Sequence, residues 1–136
     1  MTIVGCSPKI TLPNCKVIGR IPIEEVAKYY EQASIFCIPT KIEPFGIVFL
    51  EALYYKLPVV ATNVGAIPDF IIEGKTGYTT PPGDIKGLTS KLIFLLDHPD
   101  LCKNMGEEGH KLVTEYYSWD KVADKMAKII QEEIIK

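Results

Sequence analysis

The sequence predicts an open, doubly wound α/β fold. Short apolar segments rich in β-branched residues alternate with longer segments whose apolar residues recur at helical spacing. The short segments are continuously apolar, which is typical of parallel strands covered on both faces. Because ligands bind outside the carboxyl ends of the strands in such sheets, the loops after Gly19, Pro39 and Ala61 are the expected functional region.

The first two predicted strands, 2–6 and 15–19, are close together in the chain. Only residues 7–14 separate them, with prolines at Pro8 and Pro13. A parallel crossover needs about a dozen residues or more. Either the two strands are not adjacent parallel neighbours, or a connecting helix has been lost between them.

The remaining elements follow from changes in periodicity along the chain. They are a helix from Ile23, a strand at 35–39, a helix at about 47–56, a strand at 57–61, a short helix at 69–73, a strand at 77–80, and helices beginning near 84, 100 and 118. Asp84 is the predicted N-cap of its helix, whose apolar face carries Leu88, Leu92, Leu95 and Leu96. In the last helix we expect Trp119, Val122, Met126 and Ile129 or Ile130 to be buried.

Length and composition narrow the classes of function. The 136 residues have the size of one domain, and the net charge of −2 leaves no basic surface for nucleic acid. The four cysteines, at positions 6, 15, 37 and 102, have no metal-binding spacing and are expected to be free thiols in a reducing compartment. No signal peptide or bilayer-length apolar run is present, so a cytoplasmic location is expected.

The loop after the strand at 35–39 carries the most informative residues. Glu43 precedes the helix at 47–56 and Glu51 lies in its second turn, near the positive end of the helix dipole. The amides of residues 45–48 at that end are expected to be free to bind phosphate oxygens. Carboxylates accept hydrogen bonds from neighbouring sugar hydroxyls, so this arrangement suits a nucleotide sugar. The alternative is that Glu43 is a loop acid and that Glu51 is an exposed helix residue paired with Lys56 or a neighbour.

Glu43-x-Phe45-Gly46, with a second glutamate at the eighth position, resembles the paired-glutamate motif of the family-four retaining glycosyltransferases of GT-B fold, the glycosyl transferases group 1. Further stretches resemble the family in the same order along nearly the whole chain. They are Gly19-Arg20-Ile21-Pro22, Ala33-Ser34-Ile35-Phe36, Leu57-Pro58-Val59-Val60-Ala61-Thr62, Gly74-Lys75-Thr76-Gly77-Tyr78 and Pro82-Gly83-Asp84. The resemblance implies the Rossmann-like, nucleotide-sugar-binding C-terminal half of a GT-B enzyme over residues 1–136.

The resemblance also implies a role for each matching residue. Glu51 resembles the glutamate that holds the ribose hydroxyls of the nucleotide. Glu43 resembles the catalytic-site acid that contacts the donor sugar near the reacting carbon. The run Phe45, Gly46, Ile47 and Val48 resembles the backbone that contacts sugar and diphosphate. The loop beside the base corresponds to Gly19, Arg20 and Ile21, although Arg20 can equally be an ordinary surface residue.

The implied activity is transfer of a hexosyl group from a nucleoside-diphosphate sugar with retention of anomeric configuration, in polysaccharide or glycoconjugate biosynthesis. No metal or other cofactor is implied. The family's upstream strand and helix, its diphosphate-binding Arg and Lys, and its N-terminal acceptor domain are expected to be absent from this chain. That acceptor domain would be its main partner and the only route to peripheral membrane association. The isolated chain is therefore expected to have little or no transferase activity.

One departure from the family falls after the strand at 57–61. The family often has two glycines there, followed by a hydrophobic residue, proline and glutamate, whereas this chain has Gly65-Ala66-Ile67-Pro68-Asp69. A truncated, non-catalytic nucleotide-binding module remains an alternative function. A dinucleotide-dependent oxidoreductase is disfavoured because the first strand is not followed by a glycine-rich turn.

Overall fold

The structure, a computed structural model, describes residues 1–5 and 12–134. The chain divides into two compact units, Met1–Gln32 and Ala33–Lys136. Each unit contains a parallel sheet, and strands alternate with helices through most of the chain. The predicted α/β class is therefore confirmed.

The first unit contains strands β1 (Thr2–Val4) and β2 (Lys16–Ile18) and helix α1 (Ile23–Glu31). β1 and β2 pair in parallel, so the suggestion that these strands are not adjacent is wrong. The amide of Gly5 donates to the carbonyls of Ile18 and Gly19, which extends the pairing beyond β1. The alternative of a lost connecting helix concerns a stretch in which residues 6–11 lie outside the described part of the chain.

The second unit contains a three-stranded parallel sheet in the order β3-β4-β5. Its elements are β3 (Phe36–Ile38), α2 (Ile47–Tyr54), β4 (Val59–Thr62), α3 (Ile67–Phe70), β5 (Gly77–Thr80), α4 (Ile85–Leu96), α5 (Pro99–Leu112), a π-helical segment (Val113–Tyr117) and α6 (Trp119–Ile134). All four residues of the central strand β4 are buried, as expected of a strand covered on both faces.

The second helix ends earlier than predicted, at Tyr54 rather than Lys56. Lys56 adopts a left-handed conformation with φ 59°. Its amide donates to the carbonyl of Leu53, and the amide of Leu57 donates to that of Ala52. This pair of bonds is a Schellman motif, in which glycine is the usual residue at the left-handed position. Because this position holds a lysine instead of a glycine, the sequence did not indicate that the helix ends here.

The short helix is displaced relative to the prediction and spans Ile67–Phe70 rather than 69–73. Pro68 lies in its first turn, where a missing amide proton costs no intrahelical hydrogen bond. The chain becomes extended at Ile71, with φ −92° and ψ 93°, so the helix cannot continue.

The core beside β4 contains Val60, Leu95, Met105 and Cys102, with Leu88 and Leu92 partly buried against them. Asp84 caps α4 as predicted, because its carboxylate accepts a hydrogen bond from the amide of Gly87 at 2.9 Å. The prediction that Leu96 belongs to the apolar face is wrong, since this residue is exposed.

The prediction for the last helix is also wrong. Trp119 is 88% exposed, Met126, Ile129 and Ile130 are more than half exposed, and only Val122 is partly buried. Ser118 is extended between the π-helical segment and α6, and α6 packs mainly against that segment. Periodicity identifies an amphipathic helix correctly, but it does not specify the surface that covers the apolar face.

Three of the four cysteines lie in the described ranges, and Cys15, Cys37 and Cys102 are free thiols as predicted. Burial raises the pKa of the Cys37 and Cys102 thiols above the ordinary cysteine value. Cys6 lies outside the described residues. No helix within 1–5 and 12–134 combines the length and apolar character that a bilayer crossing requires.

Glu73 links the strand β5 to the helix α4. Its Oε1 accepts hydrogen bonds from the amide of Thr79 at 2.5 Å and from the hydroxyl of Thr79 at 2.8 Å. Its Oε2 lies 3.2 Å from Nζ of Lys91, which also sits 4.3 Å from the ring centroid of Tyr78. Burial raises the pKa of Glu73, but the hydrogen bonds and the charge of Lys91 outweigh burial, so that the pKa is lowered overall.

The substitution Glu73→Gln should therefore change the acid dependence of stability. A lowered folded-state pKa stabilises the fold above the ordinary glutamate pKa of 4.5, and this contribution is lost as the pH falls through the folded value. Because the carboxylate is half exposed, we expect a loss below about 1 kcal/mol at pH 7 that shrinks as the pH falls below 4.5. Urea unfolding at several pH values measures it. Glu31→Gln, at an exposed position of α1, is the control, and an equal pH dependence for both variants would contradict the prediction.

Candidate functional site

The candidate site is built on the loop that leaves the carboxyl end of β3. The hydroxyl of Thr40 donates to the carbonyl of Ile42 at 2.8 Å, which turns the loop directly after the strand. Glu43 follows, half buried, and its Oε1 accepts a hydrogen bond from the amide of Gly46 at 3.0 Å. The carboxylate is thereby fixed beside the first residues of α2.

Gly46 precedes α2 in a left-handed conformation with φ 74°. A Cβ atom at this position would lie 2.7 Å from the ring of Phe70 and 3.2 Å from the ring of Phe49. Both the backbone angle and the lack of space therefore require glycine. The buried rings of Phe49 and Phe70 form the floor beneath this turn.

The amino end of α2 differs from the prediction in one respect. The amides of residues 45–48 were expected to be free, but that of Gly46 donates to Glu43. The side chains of Phe45 and Ile47 are 75% and 64% exposed and surround the helix end with apolar surface. Ile47 is the first helical residue, so its amide has no acceptor within the helix and can donate to an anion.

Glu51 lies in the second turn of α2 and is half buried. As the sequence predicted, Glu51 belongs to the same short stretch of chain as Glu43 and the first amides of the helix. Nζ of Lys56 lies 3.0 Å from Oε1 of Glu107, a residue of α5. An arrangement of a helix amino end with two carboxylates can bind both phosphate oxygens and sugar hydroxyls.

The other predicted site residues, Gly19, Arg20 and Ile21, belong to the first compact unit. Gly19 lies directly after β2, and its carbonyl accepts a hydrogen bond from the amide of Gly5 at 3.2 Å. Arg20 is exposed and Ile21 is half buried. Their position at the carboxyl end of β2 agrees with the expected loop, and their contacts with the nucleotide base stay a prediction.

Two residues of the neighbouring loop were not identified from the sequence as parts of the site. Thr62, 2% exposed at the end of β4, donates its hydroxyl to the carbonyl of Thr40 at 2.5 Å. Gly65 lies against the backbone of Glu43 and Pro44. The signal for Gly65 was its match to the first of the family's two glycines. Ala66 replaces the second with φ −82°, an angle that any residue adopts, so this departure is accommodated.

Comparisons with known proteins agree with this fold and identify its family. The family model described as glycosyl transferases group 1 matches residues 9–112. An uncharacterized glycosyltransferase of Methanocaldococcus jannaschii is 30% identical over 124 residues, covering 91% of this chain and 35% of that protein. A GDP-mannose-dependent monoacylated alpha-(1-6)-phosphatidylinositol monomannoside mannosyltransferase of Corynebacterium glutamicum is 31% identical over 127 residues, covering 88% of this chain and 33% of that protein.

Among solved structures, the sucrose-phosphate synthase of Thermosynechococcus elongatus superimposes with a TM-score of 0.85 at 25% identity, covering 98% of this chain and 38% of that one. The chain thus spans about a third of the length of these proteins. The match to the family model extends over most of the sequence and includes both glutamates. The chain belongs to the glycosyl transferases group 1, and its fold is that of the Rossmann-like C-terminal domain of a GT-B glycosyltransferase.

Proposed function

We propose that this chain binds the nucleoside-diphosphate-sugar donor of a retaining hexosyltransferase. The observation that carries the proposal is the placement of Glu43, Glu51 and the amino end of α2 in one segment at the carboxyl end of β3. Ligands bind at this edge in open α/β sheets. Membership of the glycosyl transferases group 1 supports a sugar nucleotide as the ligand.

In the proposed complex, Glu51 accepts hydrogen bonds from the ribose hydroxyls. Glu43 accepts hydrogen bonds from hydroxyls of the donor sugar, and amides in the run from Phe45 to Val48 contact the sugar and the diphosphate. The leaving nucleoside diphosphate develops negative charge during transfer, and amides oriented in advance stabilise such charge without reorganisation. We propose no metal in this step, so a chelator such as EDTA should leave donor binding unchanged.

Measurements of nucleotide binding and of sugar transfer distinguish a catalytic chain from one that only binds the nucleotide. We expect the purified 136-residue chain to bind a nucleoside diphosphate but to transfer sugar at a negligible rate. The leaving nucleoside diphosphate develops negative charge, and helix amides stabilise only part of it. Charged donors usually stabilise more. Arg20 is the only arginine of the chain.

The measurement is the release of UDP from UDP-glucose and of GDP from GDP-mannose, with and without simple sugars as acceptors. Calorimetric titration of UDP, GDP and ADP into the same preparation measures the affinity for the bare nucleotides. Clear transfer to an acceptor by this chain would contradict the expected inactivity. In a longer protein that does transfer sugar, the anomeric configuration of the product, read by NMR, tests retention.

A further inference from the structure

Two loops contact each other at the carboxyl edge of the second sheet. One follows β3 and carries Glu43, and the other follows β4 and comprises residues 62–65, which we call the positioning loop. The positioning loop is itself anchored, because the amide of Asn63 donates to the carbonyl of Thr80 at 3.0 Å. It contacts the first loop through Thr62, which donates to the carbonyl of Thr40, and through Gly65.

The contact at Gly65 is too close for any other residue. A Cβ atom there would overlap the carbonyl oxygen of Glu43 and lie 2.8 Å from its carbonyl carbon. Ordinary contacts of a Cβ atom begin near 3.4 Å, and the atoms met here are backbone, which cannot rotate away. The φ of Gly65 is 56°, so the backbone also favours glycine.

Glu43 is consequently fixed at two points. Its carbonyl rests against Gly65, and its carboxylate accepts the hydrogen bond from the amide of Gly46. Gly46 is held in turn by the packing of Phe49 and Phe70 beneath it. Moving the backbone at Glu43 by the distance that a methyl group at Gly65 demands would therefore displace the carboxylate from the start of α2.

We propose that Gly65, with Thr62, is a positioning residue that places the Glu43 carboxylate for contact with the donor sugar. This inference rests on the proposed function, in which Glu43 binds sugar hydroxyls. Gly65 itself does not have to touch the ligand. Its role is to allow two backbones to approach closely, so that Glu43 is oriented before the sugar arrives.

The substitution that tests the geometry is Gly65→Ala, with Gly74→Ala as its matched control. Gly74 also has a positive φ, 72°, but a Cβ atom there would meet nothing within 4 Å. Both variants therefore carry similar backbone strain, and only Gly65→Ala pushes on Glu43. The readout is the amide resonance of Gly46, which reports its hydrogen bond to the Glu43 carboxylate.

In the wild-type and Gly74→Ala backgrounds, adding Glu43→Ala should shift the Gly46 resonance strongly, because the hydrogen bond is lost. In the Gly65→Ala background the bond is already broken, so the same addition should produce a much smaller shift. An equally large shift in the Gly65→Ala background would overturn the proposal. If Gly65→Ala does not fold, Thr62→Val replaces it, with Thr62→Ser as the conservative variant that keeps the hydroxyl and should restore the wild-type shift.

The functional readout compares UDP with UDP-glucose, and GDP with GDP-mannose, by calorimetry. Relative to Gly74→Ala, Gly65→Ala should bind the sugar nucleotide about tenfold more weakly, with unchanged affinity for the bare nucleotide. A broken Gly46 bond with unchanged sugar-nucleotide affinity would overturn the link to the sugar. Failure of the wild type to bind any of these ligands counts against the proposed function, whereas the Gly46 comparison still decides whether Gly65 holds Glu43.

Discussion

Replacing Glu51 with alanine should weaken the binding of a nucleoside diphosphate by about 1.5–3 kcal/mol, the range for a hydrogen bond to a charged group. At about 1.4 kcal/mol per decade this is roughly tenfold to a hundredfold in affinity. The reason is that Glu51, half buried on α2, is the proposed acceptor for the ribose hydroxyls. Titration of UDP, GDP and ADP into both proteins by calorimetry measures the effect.

The matched control is Glu43→Ala, which removes the other glutamate of the motif. Bare nucleotides lack the sugar that Glu43 is proposed to bind, so their affinity should change by less than about twofold. In a catalytically complete protein the same change should instead reduce turnover.

Comparing these two variants tests whether the glutamates have the proposed binding roles or are ordinary surface acids. If both proteins bind each nucleotide as the wild type does, neither glutamate belongs to the nucleotide pocket. If Glu43→Ala weakens bare nucleotide binding as much as Glu51→Ala, the assignment of ribose to one residue and sugar to the other is wrong. Far-UV circular dichroism of all three proteins verifies that the fold is retained.

Features of the site that depend on local chain geometry were predictable from the sequence. Glu43, Gly46 and Glu51 lie within one short stretch, so a strand followed by a helix is enough to bring them to the same edge. The hydrogen bond between Glu43 and Gly46 was not predicted, because a carboxylate three residues before an amide can turn towards it or towards solvent. The conformation at Gly46 depends on its packing against Phe70, and Phe70 belongs to a different element, α3.

Features that depend on contacts between distant segments were not predicted from the sequence. Gly65 approaches Glu43 across two loops, and only the pairing of β3 with β4 establishes that distance. The Schellman motif at Lys56 was missed because a lysine replaces the glycine that usually marks it. The exposure of Trp119 was missed because helical periodicity identifies an apolar face without identifying its partner.

Phe49→Ala should have the largest effect on stability, a loss of about 3–5 kcal/mol. The side chain is fully buried, its ring packs edge-on against Phe36 with centroids 5.7 Å apart, and it lies beneath Gly46. Deleting it leaves a cavity where α2 meets the sheet. Since domains of this size are stabilised by about 5–15 kcal/mol, the variant should lose a large share of its free energy of unfolding.

The control for this prediction is Phe45→Ala, which removes the same atoms four residues earlier. Phe45 is 75% exposed, so its loss should change the free energy of unfolding by no more than about 0.5 kcal/mol. Urea unfolding followed by far-UV circular dichroism compares both variants with the wild type. Equal effects at the two positions would contradict the packing described for α2. Because Phe49 also supports Gly46, and Gly46 donates to Glu43, a folded fraction of Phe49→Ala should show a shifted Gly46 amide resonance as well.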